Sequence, residues 1–245
     1  MMKNRNTIFS LGNSFSLIGV ALLLCLSSCK DDSVQPSIEN SYAGYFPLDS
    51  GFWIEYQADS IVHLDIDDPF NLDTAIDDYS FQIREEIDSG FVDAEGDWAY
   101  RISRFKRLND SLPWDFLNLW TAKMTNTSAQ RVEDNIRFVK LSFPINERKT
   151  WNGNAYNYFI EEDYFYQDIH VPFSLNGLNF DSSVTVIQND FTSNVNRILK
   201  KEIYANHVGM VFKQQDSLNT VHLPSGLVLI LNGVEYQLKV INYKR

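Results

Sequence analysis

The sequence predicts a mainly β protein built from antiparallel strands, and three observations carry that reading. Apolar and polar residues alternate with a period of two, turn-forming residues separate the alternating stretches, and helical periodicity is scarce. Tyr79, Phe81, Ile83 and Ile87 alternate with Ser80, Gln82 and Arg84, as a half-buried strand requires. The pattern recurs at Trp98, Tyr100 and Ile102, at Tyr156, Tyr158 and Ile160, at Val184 and Val186, and at Val234, Tyr236, Leu238 and Val240. Residues 114–124 fit a short helix and a strand equally well. Turn signals fall at 88–90, 95–97, 152–154, 176–177 and 232–233. Asn232-Gly233, set between an apolar run at 227–231 and the final alternating run, reads as the clearest hairpin.

An internal echo bears on the architecture. Tyr45-Phe46-Pro47-Leu48 precedes Trp53, and Ser142-Phe143-Pro144-Ile145 precedes Trp151 at nearly the same spacing. Proline suits the entrance of a strand, because it has no N–H to give to a ladder. The echo therefore reads either as a recurrent way to begin a strand or as a duplicated half-sheet, that is, two related β subdomains.

The N-terminus reads as an export signal. Lys3 and Arg5 precede an apolar run from Leu17 to Leu26, then small residues and Cys29. That run is about half the length of a spanning helix, roughly 20 residues. Leu26-Ser27-Ser28-Cys29 resembles the lipobox of bacterial lipoproteins. The resemblance implies cleavage before Cys29 and attachment of fatty acyl chains such as palmitate to that residue. At about 0.8 kcal/mol per buried methylene, two or three chains hold a protein on a bilayer almost permanently. The expected division is 1–28 as lipoprotein signal peptide, 29–41 as flexible tether and 42–245 as β-rich globular domain. Lys30, Asp31 and Asp32 resemble the short lysine-plus-acids signal that sends lipoproteins to the outer face of the outer membrane. The other reading is a plain polar tether, facing the periplasm.

Composition bounds the partners. The chain carries a formal charge of −11, and loss of Lys3 and Arg5 with the signal takes it to −13. A nucleic-acid binder needs a basic patch, so no nucleic acid is expected, and contact with the membrane is expected only through the lipid on Cys29. The two cysteines, Cys25 and Cys29, both lie in the N-terminal segment, which leaves the exported domain without a disulfide. Its stability must come from its core, and a domain of this length buries about 70% of its unfolded surface.

Four motifs, YFPLDSGFWIEYQADS (45–60), LSFPINERKTWNGNAYN (141–157), VTVIQNDF (184–191) and EIYANHVGMVFKQQ (202–215), resemble a family of bacterial outer-membrane lipoproteins without assigned activity. They are more distantly similar to the exported β domains of the DUF3108 or TapB-like group. The resemblance implies a strongly curved antiparallel sheet or half-barrel with few short helices, and it brings no catalytic residues. Gly51, Gly153 and Gly209 within these motifs read as backbone positions at turns or bulges. Ser60, Thr74, Ser111 and Ser217, each after an aspartate and before an apolar residue, resemble the O-glycosylation sites of some exported bacterial proteins.

The residues announce no catalytic chemistry. His63, His170, His207 and His222 are scattered and form no zinc-ligand spacing. The acidic segment 65–78 fails the EF-hand pattern, since Phe70 and Ile76 stand where glycine and glutamate are needed, and reads as a solvated loop or an irregular cation site. Glu85, Glu86, Glu161, Glu162 and Asp163 offer many carboxylate pairs without singling one out. The aromatic clusters around 156–166 and 114–120 suit either a β core or a ligand-stacking surface. The expectation is a non-catalytic lipoprotein, with no cofactor and no metal, that binds a ligand or partner or contributes to the envelope structure. The alternative is a periplasm-facing lipoprotein that holds a lipid or other amphiphile in a curved-sheet groove. An enzyme ranks third.

Overall fold

The computed structural model describes residues 42–64 and 76–244. The segments 1–28 and 29–41, with Cys29, Lys30, Asp31 and Asp32, lie outside the described residues, as do Thr74 and the acidic stretch 65–75.

Twelve strands form one antiparallel sheet. They are β1 (Trp53–His63), β2 (Ile76–Val92), β3 (Trp98–Arg107), β4 (Asp115–Met124), β5 (Ser128–Glu133), β6 (Ile136–Ser142), β7 (Thr150–Asn152), β8 (Asp163–Leu175), β9 (Leu178–Thr192), β10 (Asn196–Ala205), β11 (Gly209–His222) and β12 (Val228–Lys244). The spatial order is β6-β5-β4-β3-β2-β1-β12-β11-β10-β9-β8-β7, an up-and-down meander in which the first strand pairs with the last. The sheet nearly closes into a barrel, with its seam between β6 and β7. Single bonds bridge the seam in place of a ladder. The Val139 N–H donates to the Gly153 carbonyl at 2.9 Å, the Trp151 indole donates to the Val139 carbonyl at 2.9 Å, and the Tyr166 hydroxyl donates to the Ser142 carbonyl at 2.7 Å. Among the described residues the helical content is a single 3-10 turn, Ala43–Tyr45.

The Phe-Pro echo marks the two halves of this one sheet. Phe46-Pro47 leads into β1 and the five strands after it, and Phe143-Pro144 leads into β7 and the remaining five. Both phenylalanines are buried. Together with Tyr45, Phe52 and Ile145 they belong to the main core and close one end of the barrel, here called the floor. The Phe46 ring lies 6.4 Å from that of Tyr204, and Tyr42 stacks on Phe143 at 5.9 Å. The Tyr45 hydroxyl lies 2.6 Å from both His170 Nδ1 and Ser182 Oγ, which ties the chain entrance to β8 and β9. At the opposite end, the mouth, lie the connections 108–114, 134–135, 153–162, 193–195 and 223–227.

Several local expectations are corrected. Asn232-Gly233 is no hairpin: both residues lie within β12, and the chain reverses at 223–227 instead. A β-carbon at Gly233 would collide with the Ser217 carbonyl oxygen, so glycine serves close backbone approach at φ +135°, two residues beyond the bulge at Leu231. Residues 88–90 likewise form a bulge inside β2, where Gly90 faces the Trp98 ring. Residues 114–124 adopt the strand alternative, as β4. The alternation at 156–160 makes no strand: residues 153–162 are irregular because asparagine side chains capture the backbone groups a ladder would use. Asn154 Nδ2 donates to the Ile160 carbonyl at 2.7 Å and Asn157 Nδ2 to the Arg137 carbonyl at 2.8 Å.

The aromatic floor and the described residues of the mouth differ in their tolerance to truncation. Phe46→Ala removes a buried ring and is expected to destabilise the full chain by about 3–5 kcal/mol in urea unfolding. Tyr158→Ala at the mouth, where the residue is 81% exposed, is expected to stay within about 0.5 kcal/mol. Comparable losses would contradict this division.

Candidate functional site

Alternation along the strands aims a layer of charged side chains into the barrel. Glu85 on β2 follows the phase of Ile83 and Ile87, and Arg104 on β3 follows that of Tyr100 and Ile102. Arg104 Nε donates to Glu85 Oε1 at 3.0 Å, and Arg131 Nη1 donates to Glu85 Oε2 at 3.1 Å. The Arg104 guanidinium also lies 3.5 Å from the centre of the Trp120 ring, a cation–π contact in a dry setting. Toward the mouth, Lys140 Nζ reaches Glu133 at 2.8 Å and Glu202 at 2.9 Å. Lys213 Nζ stands 3.5 Å from Glu202 and 3.8 Å from Glu133, and the Tyr204 hydroxyl donates to Glu202 at 2.6 Å.

Burial opposes ionisation of these acids, yet the cations prevail. Burial alone raises the pKa of Glu202, but Lys140 and Lys213 outweigh it and bring the group down to about 2. Glu133, against the same burial, is held well below the usual carboxylate range by Lys140, Lys213 and Arg131. Lys140 is disfavoured by burial too, and Glu133 and Glu202 lift its pKa above the ordinary lysine value. All three groups are therefore charged near neutral pH.

Beside this layer a cavity of about 580 Å³ opens between β5, β6, the 153–162 connection and β9 to β11, a volume typical of small-molecule sites. Two β-bulges aim side chains into it. On β6 the register passes from Ala129↔Leu141 to Gln130↔Val139, which leaves Lys140 unpaired and turned inward. On β9 it passes from Lys200↔Asn189 to Lys201↔Ile187, which leaves Gln188 as the extra residue, and both Gln188 and Asn189 line the cavity. Glu162 at the rim accepts from Lys200 Nζ at 3.0 Å and Asn189 Nδ2 at 2.8 Å. The Gln188 side chain is buried, and its Nε2 has no hydrogen-bond partner. Phe138 and Phe159 line the same space, their rings stacked at 6.3 Å.

A second wall near the mouth mixes apolar with polar side chains. Ser60 pairs with Tyr79 and Tyr236, and Val62 with Val234 and Asp77, all on the inward phase of Tyr56 and Ala58. Most of the large exposed apolar side chains also gather at the mouth, among them Leu108, Phe116, Tyr158, Ile160 and Leu227.

The residues singled out in the sequence are dispersed. Ser111 is exposed in the β3–β4 connection, Ser217 is exposed on the inward phase of β11, and Ser60 is half-buried. His63 lies 2.8 Å from Glu235 on the outer face, far in sequence register from His170 at the floor. Asp77 and Asp78 are exposed on β2. Of the undifferentiated acids, Glu85 is deep in the barrel, Glu86 pairs with Arg84 outside, and Glu161 and Glu162 line the cavity. Tyr164 and Tyr166 are core residues, whereas Tyr156 and Tyr158 are exposed. Among the described residues one acidic trio, Asp93, Glu95 and Asp97, has carboxylates close enough to share a cation, and the Lys123 ammonium already occupies that position at 2.5 to 2.8 Å. The interior charges escaped sequence reasoning, although a signal existed: Glu85 shares the phase of Ile83 and Ile87, and Arg104 that of Tyr100 and Ile102.

No family model, no curated protein and no solved structure matches the chain.

The charge layer predicts a pH profile and a mutational asymmetry. Glu133 and Glu202 titrate lower when folded than the ordinary value of 4.5, so the stability they contribute is complete above that pH and is lost as pH falls toward about 2. Lys140 titrates higher when folded, so its contribution holds up to its ordinary value of 10.5 and disappears only at more alkaline pH. Urea midpoints measured from pH 2 to 10 are expected to fall below pH 4.5 and to stay level in between. Lys140→Met, which strands two buried carboxylates, is expected to lose about 3–5 kcal/mol.

Proposed function

We propose that this chain is a lipid-anchored outer-membrane protein, held by acyl chains on Cys29, that binds a small polar ligand at the mouth of its barrel without transforming it. The observation that carries this reading is the open cavity with a buried, unpartnered amide donor at Gln188. A buried donor without a partner is unfavourable by about 1–3 kcal/mol, and a ligand oxygen offsets that loss. Lys140, Lys200, Glu133 and Glu162 around it are held in ion pairs, and the described lining residues present no nucleophile with an adjacent base, so binding rather than catalysis is the reading they support. In this view residues 29–41 are the polar tether, and the mouth is the end that meets ligand. Lys30, Asp31 and Asp32 favour display on the cell exterior, in keeping with the lipoprotein family that the four motifs resemble.

A second reading has its own support. The apolar side chains of Val62, Tyr79, Val234 and Tyr236, on the inward phase near the mouth, suit the chain of an amphiphile, as a periplasm-facing carrier would need.

Protease treatment of intact cells separates the two orientations. Wild type is expected to be shaved, and a variant with Lys30, Asp31 and Asp32 changed to alanine to be protected, with equal lipidated protein in both. Cys29→Ala is expected to lose acyl labelling and membrane retention. Protection of correctly lipidated wild type would overturn surface display and leave the periplasmic reading.

A further inference from the structure

Resting on the reading of the mouth as a ligand site, we infer that its ligand is an uncharged, hydroxyl-bearing molecule of the saccharide class, seated between the Gln188 amide, the Lys213 ammonium and the Phe138–Phe159–Tyr158 rings.

The charge balance of the lining argues against an ionic ligand. Three ammonium groups, Lys140, Lys200 and Lys213, face three carboxylates, Glu133, Glu161 and Glu162. Lys140 and Lys200 are already engaged at 2.8 and 3.0 Å, and Lys213 stands between Glu133 and Glu202, so the lining offers no net charge for an ion to balance. What the site lacks is hydrogen-bond partners. Gln188 Nε2 has none, and Lys213 holds its carboxylates only at 3.5 and 3.8 Å, which leaves ammonium protons to give. A hydroxyl both accepts and donates, so it is the group that fits between an amide or ammonium donor and a carboxylate acceptor without altering net charge.

The rings supply the second half of the recognition. Phe138 and Phe159 stack in the cavity lining, and Tyr158, 81% exposed and outside that lining, lies against Phe159 at 4.7 Å. A pyranose offers the matching combination, an apolar C–H face for the rings and a rim of hydroxyls for Gln188 and Lys213. An alkyl chain would meet Lys140 and Gln188 at the inner end of the cavity, where burying methylenes against polar groups forfeits their hydrogen bonds.

The full-length lipidated chain in nanodiscs, with empty discs as blank, is applied to an array of neutral oligosaccharides (glucans, mannans, galactans and xylans) and of their sialylated and uronate counterparts. Dansyl-undecanoic acid is titrated in parallel as the amphiphile probe. The expected result is binding to neutral oligosaccharides, weakened at least tenfold by Gln188→Leu and by the double change Tyr158→Ala, Phe159→Ala. Arg101→Ala on the outer face should leave affinity unchanged, and thermal midpoints should match wild type. Binding of acidic glycans alone would overturn the uncharged character of the ligand, and binding of dansyl-undecanoic acid alone the saccharide class, each with loss in Gln188→Leu and each leaving the mouth as a ligand site. If wild type binds none of the probes, both the assignment and the ligand-site reading fall.

Discussion

The pairing of Lys140 with Glu133 and Glu202 is the contact on which the rest of the barrel depends. Lys140 belongs to β6 and Glu202 to β10, strands that are far apart in the sheet order, so their 2.9 Å contact joins the two six-strand halves through the interior. Lys213 repeats the connection in the opposite sense, reaching from β11 toward Glu133 on β5. Twelve strands enclose more width than apolar side chains alone fill, since about eight strands already suffice for a packed interior. Charged side chains are longer than most apolar ones and attract across the gap. Each buried carboxylate here has more than one cation or hydroxyl partner, which is the condition under which a buried charge is tolerated.

From that layer the two ends diverge. Below it, Phe46, Phe52 and Phe143 occupy the width that twelve strands leave, and the chain entrance is fastened by Tyr45 to His170 and Ser182. Above it, no equivalent aromatic plug belongs to the main core among the described residues, and inward-phase side chains such as Tyr79, Ser217 and Val234 are exposed. The bulges at Lys140 and Gln188 lie at the boundary between the two regimes. A bulge places two neighbouring side chains on one face, so Lys140 can serve the charge layer and the cavity together, while Gln188 Nε2 has no hydrogen-bond partner.

Most of the architecture was legible in the sequence. Period-two alternation marked the strands carrying Phe81, Tyr100, Val186 and Leu238, and the Phe-Pro echo marked the start of each six-strand half. The errors came where glycine or asparagine has more than one use. Gly90 and Gly233 allow close approach at or beside bulges inside long strands, and Asn154 and Asn157 replace ladder bonds in a stretch whose alternation resembles a strand. The site was far less legible. Glu85 and Glu202 carried the inward phase, but nothing local reveals that residues dozens of positions away supply their counter-charges. Bulges are invisible in the same way, because they arise from register between strands rather than from either strand alone.

The most direct test is the accessibility of the barrel interior at its two levels. Single cysteines are placed at Ser217 and at Val240 in the full chain with Cys25 and Cys29 replaced by alanine, and the rate of labelling by a polar maleimide is measured under native conditions. An open mouth over a charged, filled interior predicts rapid labelling of the Ser217→Cys chain and protection of the Val240→Cys chain until it unfolds. Protection of both positions would show a barrel closed at its mouth and would contradict the account.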